Sequence, residues 1–186
     1  MVEKLKADYE MQIEWRPFYL YWDTPPEGRE LPEHVKQRRA AGSEERLKQL
    51  AGSFGMPFVS TKRIYNTGLA HEATEYARDH GRHIEFHHAV FQKVYGQGED
   101  ISKWDVLRAA AEQAGLDAEE MQREVEAGKY KGRVEEEVKR AYALGISGVP
   151  TYVIDDKYAV VGAQPYDVFK RALETVVKPG QSGGTT

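Results

Sequence analysis

The 186-residue chain contains no cysteine. These residues therefore offer no disulfide, no thiolate metal ligand and no thiol nucleophile. A dominant charge is also missing: 26 Lys and Arg face 30 Asp and Glu, for a net charge of -4. So mild a balance provides no electrostatic footprint for a polyanion, and nucleic acid is not an expected partner. No apolar run approaches the roughly 20 residues of a membrane span. Met1-Val2-Glu3-Lys4 opens charged, without an apolar signal core. The expectation is a cytoplasmic protein with no membrane partner. No repeat at a solenoid period is visible.

An apolar content of 40% suits a globular chain of one domain, or of a core with one insertion. The most informative stretch runs from Gly145 to Pro165. Thr151 to Ile154 and Tyr158 to Val161 are short runs of β-branched and aromatic residues. Asp155-Asp156-Lys157 between them is a polar turn, which predicts an antiparallel hairpin. Gly148-Val149-Pro150 stands at its mouth. A proline there donates no backbone proton. A cis bond before it would leave the backbone groups of Val149 exposed to capture an extended peptide or a thiol ligand. Pro165 opens a helix to about residue 177.

Helical spacing predicts a short helix over Val2, Leu5 and Tyr9. Gln12 to Arg16 alternates polar and apolar residues as a half-buried strand does, and Pro17 confines it to a sheet edge. A helix is expected over Glu44 to Gln49. Five more follow between Asn66 and Leu144, stopped at Gly81, Gly98, Gly115 and Gly145, with Ser102 and Asp117 as caps. Residues 179–186 are expected to form a frayed tail.

Gly-Ile-Ser-Gly-Val-Pro-Thr-Tyr-Val-Ile followed by Tyr-Ala-Val-Val-Gly-Ala-Gln-Pro resembles the C-terminal half of DsbA-family thioredoxin-like proteins. The FrnE-type branch is the nearest pattern. Ile13 to Phe18 with Thr24 to Gly28, Asn66-Thr67 with Ala70-His71 and Tyr76-Ala77, Asp100 to Ser102, and Ala114 to Asp117 match it in order. The resemblance implies an α/β, thioredoxin-like fold with an all-helical insertion. Residues 1–60 would form the N-terminal part of the core, 61–144 the insertion, and 145–178 the C-terminal hairpin and helix. It also implies thiol–disulfide exchange with protein or peptide substrates, carried out by a Cys-X-X-Cys pair facing the proline loop.

The family opens with a strand and that Cys-X-X-Cys, and neither has a counterpart here. The expectation is that residues before Met1 supply them, or that another chain fills the gap. An unpaired central gap favours strand exchange in a homodimer. As written, the chain is expected to be redox-inert, with no catalytic residue, and Gly148, Val149 and Pro150 would keep the substrate-binding half of the chemistry. Two alternatives stand beside this. One is a glutathione-dependent isomerase or transferase of the hydroxychromene carboxylate isomerase type, with glutathione as the cofactor. The other is a non-catalytic peptide-binding module.

Asn66 reads as a helix cap, and the related kappa-class glutathione transferases imply that an asparagine in this region approaches glutathione. His71 reads as a structural histidine, with a place in the cleft as its alternative. His83 and His87 stand one helical turn apart, but Ile84 follows His83 where a catalytic glutamate would be needed, and no third ligand is evident. No metal site is expected.

Overall fold

Small residues at helical spacing decide how closely helices can pack, and this chain places alanines at those positions. The computed structural model describes residues 2–176; the expected tail at 179–186 lies outside the described residues. The chain divides into two compact units. One is residues 21–137, and the other combines the residues on either side of that block.

In the first unit, α4 (Gly68–Asp79), α5 (His83–Phe91), α6 (Trp104–Gln113), α7 (Ala118–Glu126) and the first turns of α8 (Lys131–Ala143) supply the core. Ala73, Ala77 and Ala110 are fully buried beside Tyr76, Phe86, Leu107 and Met121. Each large apolar side chain buried this way contributes about 1.5–3 kcal/mol. Tyr76 meets Tyr130 edge-to-face at 6.0 Å. Its hydroxyl donates to Glu120 Oε2 at 3.0 Å, and burial together with that carboxylate pushes the phenol pKa upward. The buried Glu75 carboxylate faces Arg78 at 3.2 Å and Arg133 at 3.4 Å, tying α4 to the start of α8.

Several local expectations meet their structural outcome here. Asp117 caps α7, accepting from the N–H groups of Glu119 and Glu120. Ser102 does not cap α6; its N–H and hydroxyl both bond Asp100 Oδ1, and Lys103 takes the cap position. α5 leaves α geometry after Phe91 and continues as a π-helical turn over Gln92–Gln97.

The same unit begins with a short antiparallel pair, β1 (Arg29–Glu30) and β2 (Arg63–Ile64). Gly28 precedes it at φ 73°, where a Cβ would stand 2.6 Å from the Ile64 carbonyl oxygen. Between the strands lie α2 (Glu33–Ala40) and α3 (Ser43–Ser53), neither of which buries a residue.

The second unit holds α1 (Val2–Asp8), the hairpin β3 (Thr151–Ile154) and β4 (Tyr158–Val161), and α9 (Tyr166–Val176). The register pairs Thr151 with Val161 and Ile154 with Tyr158. Alternation along the strands therefore puts Tyr152, Ile154 and Val160 on one face. That face packs with Leu5 and Phe169, both buried. Asp155 and Asp156 take positive φ in the turn, a conformation that aspartate tolerates better than most residues.

The segment from Gln12 to Arg16 keeps its alternating burial but joins no ladder among the described residues, so the expected edge strand is not formed there. A half-buried pattern needs only one covered side. A strand also needs a neighbour at hydrogen-bonding distance.

Candidate functional site

The loop leading into β3 is held by its neighbours on both sides. Thr151 Oγ1 donates to the Gly148 carbonyl at 2.7 Å. The Gly162 N–H donates to the Pro150 carbonyl at 2.8 Å. Gly162 has φ 84° just after β4, and the Gln164 side chain closes back onto the Val161 carbonyl at 2.9 Å. The Val149–Pro150 peptide is cis.

Between these two fixed carbonyls, Val149 is 53% exposed. Among the described residues, no hydrogen bond reaches its N–H or its C=O. Behind the loop, Tyr152 rests edge-on against Phe169 at 4.7 Å, and burial raises its phenol pKa. The loop thus presents one backbone donor and one acceptor on a braced frame, with no acid, base or nucleophile among Gly148, Val149 and Pro150.

Thr151 and Gly162 were not singled out from the sequence, yet they lock this loop. A hydroxyl directly after proline and a glycine directly after β4 were the available signals.

Asn66 and His71 belong to the other unit. Asn66 Nδ2 donates to the Thr24 carbonyl at 2.6 Å, and its Oδ1 accepts from the Gly68 N–H at 2.8 Å. Both ends of the amide hold the entry to α4. His71 is half-buried in the first turns of that helix. The histidines of α5 are drawn into ring contacts. His87 stacks on Phe91 at 4.4 Å, and His83 lies 3.2 Å from the Arg78 guanidinium. Burial, then the charges of His83 and His88, hold His87 down to about 4. Among the described residues no group of three His, Asp or Glu is placed to hold a metal ion.

The family model for the DSBA-like thioredoxin domain matches residues 1–174. The chain belongs to this family. Its hairpin, flanking helices and helical block are the α/β, thioredoxin-like DsbA fold with a helical insertion. YwbO of Bacillus subtilis (strain 168), itself uncharacterized, is 28% identical over 166 residues, which is 88% of this chain and 82% of the relative. A probable DsbA oxidoreductase from Streptomyces coelicolor superposes with a TM-score of 0.67 at 29% identity. The match covers 81% of this chain but only 64% of that one. A 2-hydroxychromene-2-carboxylate isomerase superposes with a TM-score of 0.75 at 19% identity, covering 94% of this chain and 86% of the isomerase.

Within the DsbA-like family, exchange chemistry depends on a thiolate. These 186 residues contain no cysteine and so supply no thiolate for that exchange. No helix among the described residues is long and apolar enough to cross a membrane.

Proposed function

We propose that this DsbA-family chain holds an extended, cysteine-containing peptide against Gly148-Val149-Pro150, supplying recognition without thiol chemistry of its own. The observation that carries the reading is Val149: it is exposed, its backbone N–H and C=O are unbonded among the described residues, and the carbonyls on either side are fixed. A peptide laid alongside would exchange two backbone hydrogen bonds with it, as in strand addition. Each such bond is worth about 0.5–1.5 kcal/mol net. One pair alone gives weak, readily reversible binding, which suits a site that must release its peptide.

Placement in the FrnE-type branch and a cytoplasmic setting, where thiols stay reduced, fit this reading. So does a division into core segments 1–60 and 145–178 around an insertion at 61–144. A glutathione-dependent isomerase is the second reading, favoured by the likeness in fold to the chromene carboxylate isomerase. Glutathione is itself a short thiol peptide and would use the same Val149 groups. Asn66 contributes little to it, because both ends of its amide are already engaged.

The test is a calorimetric titration with a short peptide bearing a central cysteine, with the same peptide N-methylated at the residue facing Val149, and with reduced glutathione. N-methylation removes the donor to the Val149 carbonyl and should weaken binding about tenfold. Equal affinities for the two peptides would sink the reading. Heat from glutathione alone would move the assignment to the second. Insulin reduction by these residues should not exceed background.

A further inference from the structure

We propose that Thr151 is a positioning residue for the Val149 loop: its hydroxyl holds the Gly148 carbonyl and thereby aims the Val149 N–H at the bound peptide. The inference rests on the peptide-binding reading and gives Thr151 a part in it.

The Gly148 carbonyl and the Val149 N–H belong to one peptide unit. That unit is trans. It is also planar, so its C=O and N–H point in opposite directions, and whatever fixes the carbonyl fixes the N–H. The Thr151 hydroxyl donates to this carbonyl at 2.7 Å, and no other hydrogen bond reaches it among the described residues. The Val149 N–H is therefore turned to the side away from the hydroxyl.

Packing does not fix the unit. A Cβ added at Gly148 would meet nothing within 4 Å, and glycine leaves the backbone there a wide choice of conformations. The other brace acts two units further on. The Gly162 N–H holds the Pro150 carbonyl at 2.8 Å, in the unit whose N–H is that of Thr151 itself. The unit between them carries the Val149 carbonyl and has no N–H, because Pro150 follows.

The residue type suits the role. Thr151 begins β3, with its Cα paired to Val161, so the backbone under it is set by the ladder. Branching at Cβ restricts its first side-chain torsion and holds the hydroxyl near one direction. Valine would keep the branch and lose the donor. Serine would keep the donor on a looser side chain. A hydroxyl bonded to the carbonyl three residues back is also a common local motif. If Thr151 were no more than that, removing the donor would leave peptide affinity unchanged.

The test is calorimetry with the central-cysteine peptide on the parent chain, Thr151→Val, Thr151→Ser and Thr175→Val. Thr175 Oγ1 donates to the Arg171 carbonyl at 2.8 Å within α9, so Thr175→Val removes a comparable bond outside the loop. Thr151→Val should weaken binding about five- to tenfold, and Thr151→Ser should stay within about twofold of the parent. Thr175→Val should bind as the parent does. Nitrogen-15 relaxation reads the aiming without any ligand. The order parameter of the Val149 amide should stay near about 0.85 in the parent and in Thr151→Ser, and fall below about 0.6 in Thr151→Val. Parent-like affinity in Thr151→Val, a serine variant as weak as valine, or an equal loss in Thr175→Val would overturn the proposal. If the parent bound no peptide, the functional reading would fail by itself. The relaxation measurement would still decide the aiming, and an unchanged order parameter in Thr151→Val would overturn it.

Discussion

Replacing Asn66 by alanine should lower stability by about 2–3 kcal/mol. Two losses add up to that figure. Gly68 loses the acceptor for its N–H, a helix-entry bond worth about 1 kcal/mol. The Thr24 carbonyl loses its donor at 2.6 Å, and Thr24 is only 8% exposed, so the orphaned oxygen costs about 1–2 kcal/mol more. For a chain of this size each kcal/mol moves the melting temperature by about 2–4 °C. The midpoint should therefore fall by roughly 5–10 °C. Urea unfolding followed by far-UV circular dichroism measures the loss directly. Asn66→Ser separates the two parts, because a serine hydroxyl can still accept from Gly68 but is too short to reach Thr24. It should recover about 1 kcal/mol. An alanine variant within ~0.5 kcal/mol of the parent would refute the reasoning. So would a serine variant no better than alanine. If peptide or glutathione affinity fell while stability stayed put, Asn66 would be a ligand contact and not a brace.

Two further expectations concern each unit in turn. His87 stays neutral in the folded chain down to about 4, whereas an unfolded histidine takes its proton near 6.5. Its contribution is full above pH 6.5 and lost as the pH falls toward 4, amounting to at most ~2 kcal/mol at a part-exposed ring. His87→Phe, which keeps the stack on Phe91, should flatten urea midpoints across that window; an unchanged pH slope would count against it. Phe169→Ala opens a cavity under Tyr152 and should cost about 3–5 kcal/mol by chemical denaturation, and a loss below ~1 kcal/mol would mean that α9 does not anchor the hairpin.

How much of this was legible in the sequence depends on whether local chemistry decided the outcome. The hairpin was legible because two β-branched runs flank aspartates that accept positive φ, and its register follows. The helices from Gly68 onward were legible because their apolar residues share a face and glycines such as Gly81 and Gly115 end them in the left-handed conformation. Asp117 was legible as a cap for the same local reason.

Other elements were not. α2 carries Glu, Lys, Gln and Arg around Val35 with no stripe to detect, and it buries nothing. The β1–β2 pair joins residues more than thirty positions apart, and two residues per strand leave no period to read. Gln12 to Arg16 shows the opposite failure: its alternation is real, but alternation reports burial and cannot supply a pairing partner. The compact units divide after Leu20 and after Glu137.

The candidate site was legible as a loop and not as a set of contacts. Gly148, Val149 and Pro150 announced themselves by their chemistry, whereas Thr151 and Gly162 matter through hydrogen bonds that only the folded hairpin creates.

The division into a continuous block and a discontinuous partner also sets an order of events on the ribosome. Residues 21–137 are contiguous, and each of their helices meets neighbours made shortly before it, so their contacts are low in contact order and can form as the chain emerges. Leu5 cannot settle until Phe169 exists, because the two share one small core from opposite ends of the described chain. The loop at Val149 sits among the late-made residues, and its braces at Thr151 and Gly162 come after it. The loop proposed to hold a peptide is therefore completed after the helical block. A chain stalled before α9 would already display a finished helical block, yet its hairpin would lack Phe169 behind Tyr152.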